Sequence, residues 1–168
     1  MLNNATKVLV SPNAIDTDLF FQQDRREAKR KLGLSEEDYV ISYVGRFSER
    51  KGVNRLIEAA KSVSKAKLVL IGYGGELIKS DQICVSKRVP HEEVVNYMNA
   101  SDVYCLPTLA EGCCNSIVEA MACGLPIISS DLEFNDDILD EENSVRIDPS
   151  NVEDITKALK TLRDNENL

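Results

Sequence analysis

Apolar positions along the chain fall into two alternating patterns. Short continuous runs of strand length, rich in β-branched and aromatic residues, occur at KVLV (7–10), YVISYVG (39–45), KLVLIG (67–72), QICVS (82–86), VYCLP (103–107), PIISS (126–130) and SVRID (144–148). Between most of them the apolar residues repeat at helical spacing. Residues 52–65 set Val53, Leu56, Ile57, Ala60 and Val63 on one face, and residues 90–101 open on a proline and set Val94, Val95 and Met98 on another. Residues 115–124 stop at Gly124 with Pro126 just beyond, a helix-ending pair. Residues 150–164 begin with a polar cap and carry Val152, Ile155, Ala158, Leu159 and Leu162. Strands without polar alternation are buried on both faces, so strand–helix alternation of this kind predicts a doubly wound α/β domain with a parallel sheet.

A chain of 168 residues suits one domain with a sizeable core. With 43% apolar and 29% charged residues the composition is globular, and no apolar run approaches the ~20 residues of a membrane-spanning helix. The start, MLNNATKVLVSPN, lacks the basic and long apolar regions of a secretory signal, so a cytoplasmic location is expected. Cys84, Cys105, Cys113, Cys114 and Cys123 form no CxxC pair and His91 is the single histidine, which points to reduced thiols and away from zinc. The net charge of −8 argues against a nucleic-acid or anionic-membrane partner. A small anionic ligand is compatible with it, because positive charge clumps at 25–31, 45–51 and 86–88. The acidic stretch EFNDDILDEE (133–142) reads as solvated surface.

Open parallel sheets bind ligands at the carboxyl ends of their strands. After the second run, Gly45 ends the strand and Arg46 and Lys51 flank a loop before a helix near Gly52. Two cations beside a helix start make an anion site, although both are also readable as exposed loop cations. After the third run come Gly72, Gly74 and Gly75, which permit close backbone approach or form an ordinary connection. No GxGxxG opens a helix anywhere, so a dinucleotide fingerprint is missing. After VYCLP comes AEGCCNSIVEAMACGLP, in which Glu111 and Glu119 bracket a helix start. Ser116 to Glu119 reads as a capping box, a structural account of Glu119 but not of Glu111. The alternative reading gives the amides of Cys114 to Ile117 to a phosphate and the two carboxylates to sugar hydroxyls, since a carboxylate offers two acceptors to a diol.

These segments, in this order, resemble the donor-binding C-terminal half of retaining group 1 glycosyltransferases, enzymes of two facing Rossmann-like domains (the GT-B architecture). The resemblance is carried by VSPNAIDTDLF (10–20), GRFSERKGVNRLIEA (45–59), SDVYCLPTLAEG (101–112), NSIVEAMACGLPIISSD (115–131) and ENSVRIDPSNVEDI (142–155). SDLEFNDDIL (130–139) further resembles enzymes that build bacterial surface polysaccharides. The resemblance implies that Arg46 and Lys51 grip the donor diphosphate, with Gly45 beside them. It implies that Glu111 serves the transferred sugar and Glu119 the ribose. Gly112, Cys113 and Cys114 then lie by the sugar hydroxyls, Asn115, Ser116 and Ile117 by the phosphates, and Arg88 and Val89 by the base. The implied reaction cleaves the anomeric C–O bond with retention, with no metal and no cofactor beyond the nucleotide-sugar donor. Arg46, Lys51 and the helix amides would stabilise the leaving group.

Several positions depart from the family pattern. Cys113 and Cys114 replace an aromatic and a proline, Ala14 the junction glycine, Ser144 the glycine of a late NG turn, and Lys87 a frequent glycine. The stretch between IGYGGE and QICVS is short, so a helix common in relatives is expected to be missing. The resemblance also implies an N-terminal acceptor domain before residue 1 and a long final helix that this chain lacks. The chain is therefore expected to be a foldable fragment, inactive by itself, and any peripheral membrane contact would come through the missing domain. A nucleotide-binding regulatory module without catalysis is the main competing reading, and a non-enzymatic interaction domain a third. The base, sugar and acceptor are left open.

Overall fold

The structure, a computed structural model, describes residues 13–165; the run at 7–10 lies outside them. Six strands form one sheet: β1 (Tyr39–Phe47), β2 (Ala66–Gly74), β3 (Ile83–Lys87), β4 (Val103–Leu106), β5 (Ile127–Ser130) and β6 (Ser144–Ile147). Their order is β3-β2-β1-β4-β5-β6 and every neighbouring pair is parallel. The order reverses between β1 and β4, which opens a crevice at their carboxyl ends. Five helices accompany the sheet: α1 (Arg25–Lys31), α2 (Val53–Ala60), α3 (Val94–Asn99), α4 (Asn115–Ala122) and α5 (Val152–Asp164). α2 packs on α5 and α1 on α3. Right-handed crossovers put α2 on one face and α3 and α4 on the other. Val40, Ile41, Leu68, Val69, Leu70, Val103 and Ile128 are buried, as continuous apolar strands require.

Local chemistry sets the element limits. α4 ends in a left-handed Gly124 (φ 72°). There the Leu125 amide bonds the Ala120 carbonyl and the Gly124 amide bonds that of Met121, the two-bond glycine stop. Asn151 caps α5 by accepting from the Glu153 and Asp154 amides. The helix expected over 52–65 shortens to 53–60, and Val63 is still buried, in a turn that ends at a left-handed Lys65. The helix expected over 90–101 splits into a 3₁₀ turn (His91–Glu93) and α3. α1 falls in a stretch that shows only as a charge clump, capped by the Asp24 side chain on the Glu27 amide. Its Lys29 is buried and bonds Asp102 Oδ2 at 2.7 Å and the Asp38 carbonyl at 2.7 Å.

Two loops differ from what their sequences suggest. The acidic stretch 133–142 is no plain solvated surface, because Asn135 and Leu139 are buried within it. Asn135 Nδ2 donates to the Ser130 carbonyl at 2.7 Å, and Arg146 pairs with Asp136 at 2.7 Å. Between β2 and β3 the chain returns through residues 75–82 without a helix. Asn54 of α2 holds this return segment through the Glu76 carbonyl and the Ile78 amide, and Gln82 Nε2 reaches the Ala60 carbonyl.

Candidate functional site

The crevice between β1 and β4 is built by close backbone approach. A Cβ on Gly72 would lie 1.8 Å from the Gly45 carbonyl oxygen, and one on Gly52 would lie 2.1 Å from that of Pro107. These glycines serve strand pairing and loop contact. Gly52, left-handed at φ 75°, starts α2 against the end of β4. The Leu109 amide then bonds the Arg50 carbonyl at 2.8 Å, lacing the loop after β1 to the loop after β4. Arg55 reinforces this, donating to the carbonyls of Glu49, Pro107 and Pro149. It ties three strand-end loops together, a role that its sequence context does not signal.

This lacing brings Lys51 onto Glu111. Lys51 Nζ donates to Glu111 Oε1, with side chains only 17% and 9% exposed. The buried Thr108 hydroxyl donates to the same oxygen at 3.0 Å. Arg46 is the second-last residue of β1 and is exposed, so it is a strand residue rather than the first residue of the loop. Its carbonyl accepts from the Tyr43 hydroxyl at 2.8 Å.

The start of α4 corrects the capping-box reading. Cys114 occupies the cap position and Ser116 lies inside the helix. The Ser116 hydroxyl accepts from the buried Tyr104 hydroxyl at 2.8 Å and lies 3.4 Å from Cys114 Sγ. Burial holds the Tyr104 phenol well above its ordinary range, so it stays a donor. Glu119 does not reach back to a cap; its Oε1 lies 2.8 Å from His91 Nε2, and its side chain is 9% exposed. The Ile117 amide, expected to be free, is taken by the Cys114 carbonyl at 3.1 Å. The amides of Asn115 and Ser116 lie in the first turn, which has no intrahelical acceptors for them.

The candidate residues therefore form two adjacent clusters. Lys51, Thr108 and Glu111 make one; His91, Asn115 and Glu119 line the other, a hollow of about 140 Å³ shared with Asn13, Asp16 and Phe20. Asn13 Nδ2 bonds Asn115 Oδ1 at 2.9 Å across it. Arg88, on the loop after β3, lies 4.9 Å over the exposed Tyr73 ring, and Val89 beside it is half-buried. Gly112 and Cys113 are exposed, while Cys114 is buried and its thiol is pushed up by burial. The pairing of His91 with Glu119 and the packing of Tyr73 on Arg88 were not foreseen from sequence. A larger hollow, about 890 Å³, lies at the opposite end of the sheet beside Tyr39, Lys65, Asp102 and Pro126. It contains none of the candidate residues. Among the described residues no three His, Cys, Asp or Glu side chains gather to hold a metal ion, and no helix is long and apolar enough to cross a membrane.

The family described as "Glycosyl transferases group 1" matches residues 24–168. The chain belongs to this family. Its fold is that of the C-terminal half of GT-B glycosyltransferases. Among curated group 1 relatives, it is 28% identical over 142 residues to the putative teichuronic acid biosynthesis glycosyltransferase TuaC of Bacillus subtilis, covering 82% of this chain and 36% of TuaC. It is 27% identical over 131 residues to D-inositol 3-phosphate glycosyltransferase of Mycobacterium bovis, covering 69% of this chain and 27% of that protein. The chain thus spans 36% and 27% of the lengths of these two relatives. In fold it is similar to sucrose-phosphate synthase of Thermosynechococcus elongatus (TM-score 0.79, 24% identity, 90% of this chain and 42% of that one). It is similar also to the C-terminal domain of a glycosyl transferase group 1 protein of Francisella tularensis (TM-score 0.76, 22% identity, 91% and 89%). Anabaena HepE, solved in complex with UDP-glucose, has a TM-score of 0.79 at 21% identity, covering 90% of this chain and 46% of HepE.

Proposed function

We propose that the chain is the donor-binding domain of a retaining glycosyltransferase that takes a sugar from a nucleotide-diphosphate sugar, in polysaccharide or glycoconjugate synthesis. The observation that carries this reading is the convergence of Lys51, Glu111, Glu119 and the start of α4 at the switch point between β1 and β4. In the proposed complex the diphosphate lies against Arg46, Lys51 and the amides of Asn115 and Ser116. Glu111, flanked by Gly112 and Cys113, faces the transferred sugar. Glu119 faces the ribose diol, and Arg88 and Val89 face the base. The UDP-glucose complex of HepE supports a uridine nucleotide as the first ligand to try.

The chemistry follows from charge. As the anomeric C–O bond breaks, the bonding pair leaves with the diphosphate and positive charge grows on the sugar. Arg46, Lys51 and the two free amides lower the cost of the growing negative charge. Glu111 fixes the sugar hydroxyls so that the anomeric carbon is presented in one orientation. An acceptor-binding domain preceding this chain would supply the other wall of the cleft.

Calorimetric titration of the chain with UDP, GDP and ADP tests the binding reading. One base should be preferred, and binding should weaken at least tenfold in Arg46→Ala. In a protein carrying both domains, Glu111→Gln should abolish transfer. Unchanged transfer would favour the regulatory-module reading, and equal indifference to all three nucleotides would end the donor-domain reading.

A further inference from the structure

Glu119 is the more enclosed partner of an unequal pair. Its carboxylate side chain is 9% exposed, on the second turn of α4, whereas the His91 side chain that meets it is 64% exposed. A nearly buried carboxylate needs hydrogen-bond donors, because leaving it without one costs more than a made bond returns. The donor present is an imidazole on a three-residue 3₁₀ turn that has no side-chain cap, with its ring centroid 5.2 Å from that of Phe20. Such a ring is free to swing toward solvent at small cost, while Glu119 is fixed by its helix.

We infer that His91 is a displaceable stand-in donor: it satisfies Glu119 while the site is empty and yields that carboxylate oxygen to a ribose hydroxyl when a nucleotide binds. This rests on the donor-domain reading above. The hollow shared by His91 and Glu119 has about 140 Å³ free, room for part of a pentose ring, and Asn13 and Asn115 close its side. The exchange forms and breaks hydrogen bonds only. It also makes nucleotide binding sensitive to the charge of His91. Protonated, the imidazole forms an ion pair with Glu119 and competes better; neutral, it offers one ordinary hydrogen bond. The other titratable groups near it are Asp16, which lines the same hollow, and Glu92 and Glu93 on its own turn. The exposed position of His91 limits the competition to about fivefold in affinity.

The single histidine of the chain makes the test clean, because its imidazole proton signals are the only ones in the spectrum. Proton NMR titration with UDP, or with whichever nucleotide binds best, should shift those signals. Glu119→Gln should remove that response. By calorimetry, His91→Ala should bind nucleotide at least as tightly as the unaltered chain at pH 7.5 and two- to fivefold more tightly at pH 5.5. Comparison of the two proteins at each pH cancels the titration of the nucleotide phosphate itself. Imidazole signals that ignore a nucleotide shown to bind would overturn the inference. Weaker binding by His91→Ala at both pH values would also overturn it, making His91 a permanent positioning residue for Glu119. Absence of binding by the unaltered chain would remove the donor-domain reading and this inference together, an outcome distinct from either of the others.

Discussion

Glu111→Gln offers a perturbation in which stability and binding should move in opposite directions. The substitution keeps the size of the side chain and an acceptor oxygen for the Thr108 hydroxyl, but it removes the charge that faces Lys51. The pair is intermediate in burial, at 17% and 9% exposure. Exposed pairs are worth about 0.2–1 kcal/mol, and breaking a fully buried one costs about 3–5 kcal/mol; a value of about 1–2 kcal/mol suits this site. Unfolding in urea should show that loss, with a fall of about 2–8 °C in the thermal midpoint at about 2–4 °C per kcal/mol. Lys51 would then be released from its internal partner, and the affinity for a nucleoside diphosphate should rise by about five- to thirtyfold. A general folding defect weakens binding and stability together, so the opposite signs are diagnostic. Adding Lys51→Met in the Glu111→Gln background should lose the gain in affinity while costing little further stability. A Glu111→Gln chain that binds UDP more weakly than the unaltered chain would refute the view that these two residues neutralise each other in the empty site.

Other positions give independent checks. Lys29→Met should destabilise the chain by about 3 kcal/mol in urea denaturation, because it removes the buried ammonium from Asp102 and the Asp38 carbonyl and leaves the Asp102 charge to the Val40 amide and the more exposed Arg25; a change under about 0.5 kcal/mol would show the pair to be dispensable. Gly72→Ala should abolish soluble expression or split β1 from β2, detectable as lost amide protection in hydrogen exchange, given the 1.8 Å approach to the Gly45 carbonyl. Alkylation followed by mass spectrometry should modify the exposed Cys84 and Cys113 well before Cys105, Cys114 and Cys123. Burial pushes the Cys123 thiol up to about 11 and raises those of Cys105 and Cys114. The fold therefore holds protons that the unfolded chain releases near pH 9, and stability should be full below that pH and decline from 9 toward 11 in thermal melts.

The sheet was legible because its central strands, β1, β2, β4 and β5, are largely buried on both faces, and continuous runs such as YVISYV and KLVLI permit little else. α1 escaped notice for the opposite reason. Only Ala28 and Lys29 of its seven residues are buried, so no apolar stripe marks it, and a lysine that reads as surface is sunk beside Asp102. At the candidate site, spacing brought out the chemistry but not the partnerships. Lys51 and Glu111 are sixty residues apart and meet only because Gly52 lets α2 begin against Pro107. Ser116 and Glu119 fit a capping pattern in sequence, yet the helix starts two residues earlier and the two side chains turn to Tyr104 and His91 instead. Pairings across the chain depend on where the loops cross, and local spacing contains no record of that. The acidic loop at 133–142 shows the same limit, since Asn135 and Arg146 give it an interior that its charge conceals.

Arg55 sets a rule for anyone who would re-engineer this domain. One guanidinium holds the loops after β1, β4 and β6, so those loops cannot drift independently in length or shape. Exchanging the segment around Glu111 for that of a relative, to change ligand preference, would misalign two other loops unless residues 48–55 were exchanged with it. The 75–82 return segment is held at its ends by the Gly75 amide on the Phe47 carbonyl and the Gln82 carbonyl on the Leu68 amide, and between them by the Asn54 and Gln82 side chains; none of these bonds involves Arg55. Insertions and affinity handles belong there, where the chain can lengthen without moving the crevice.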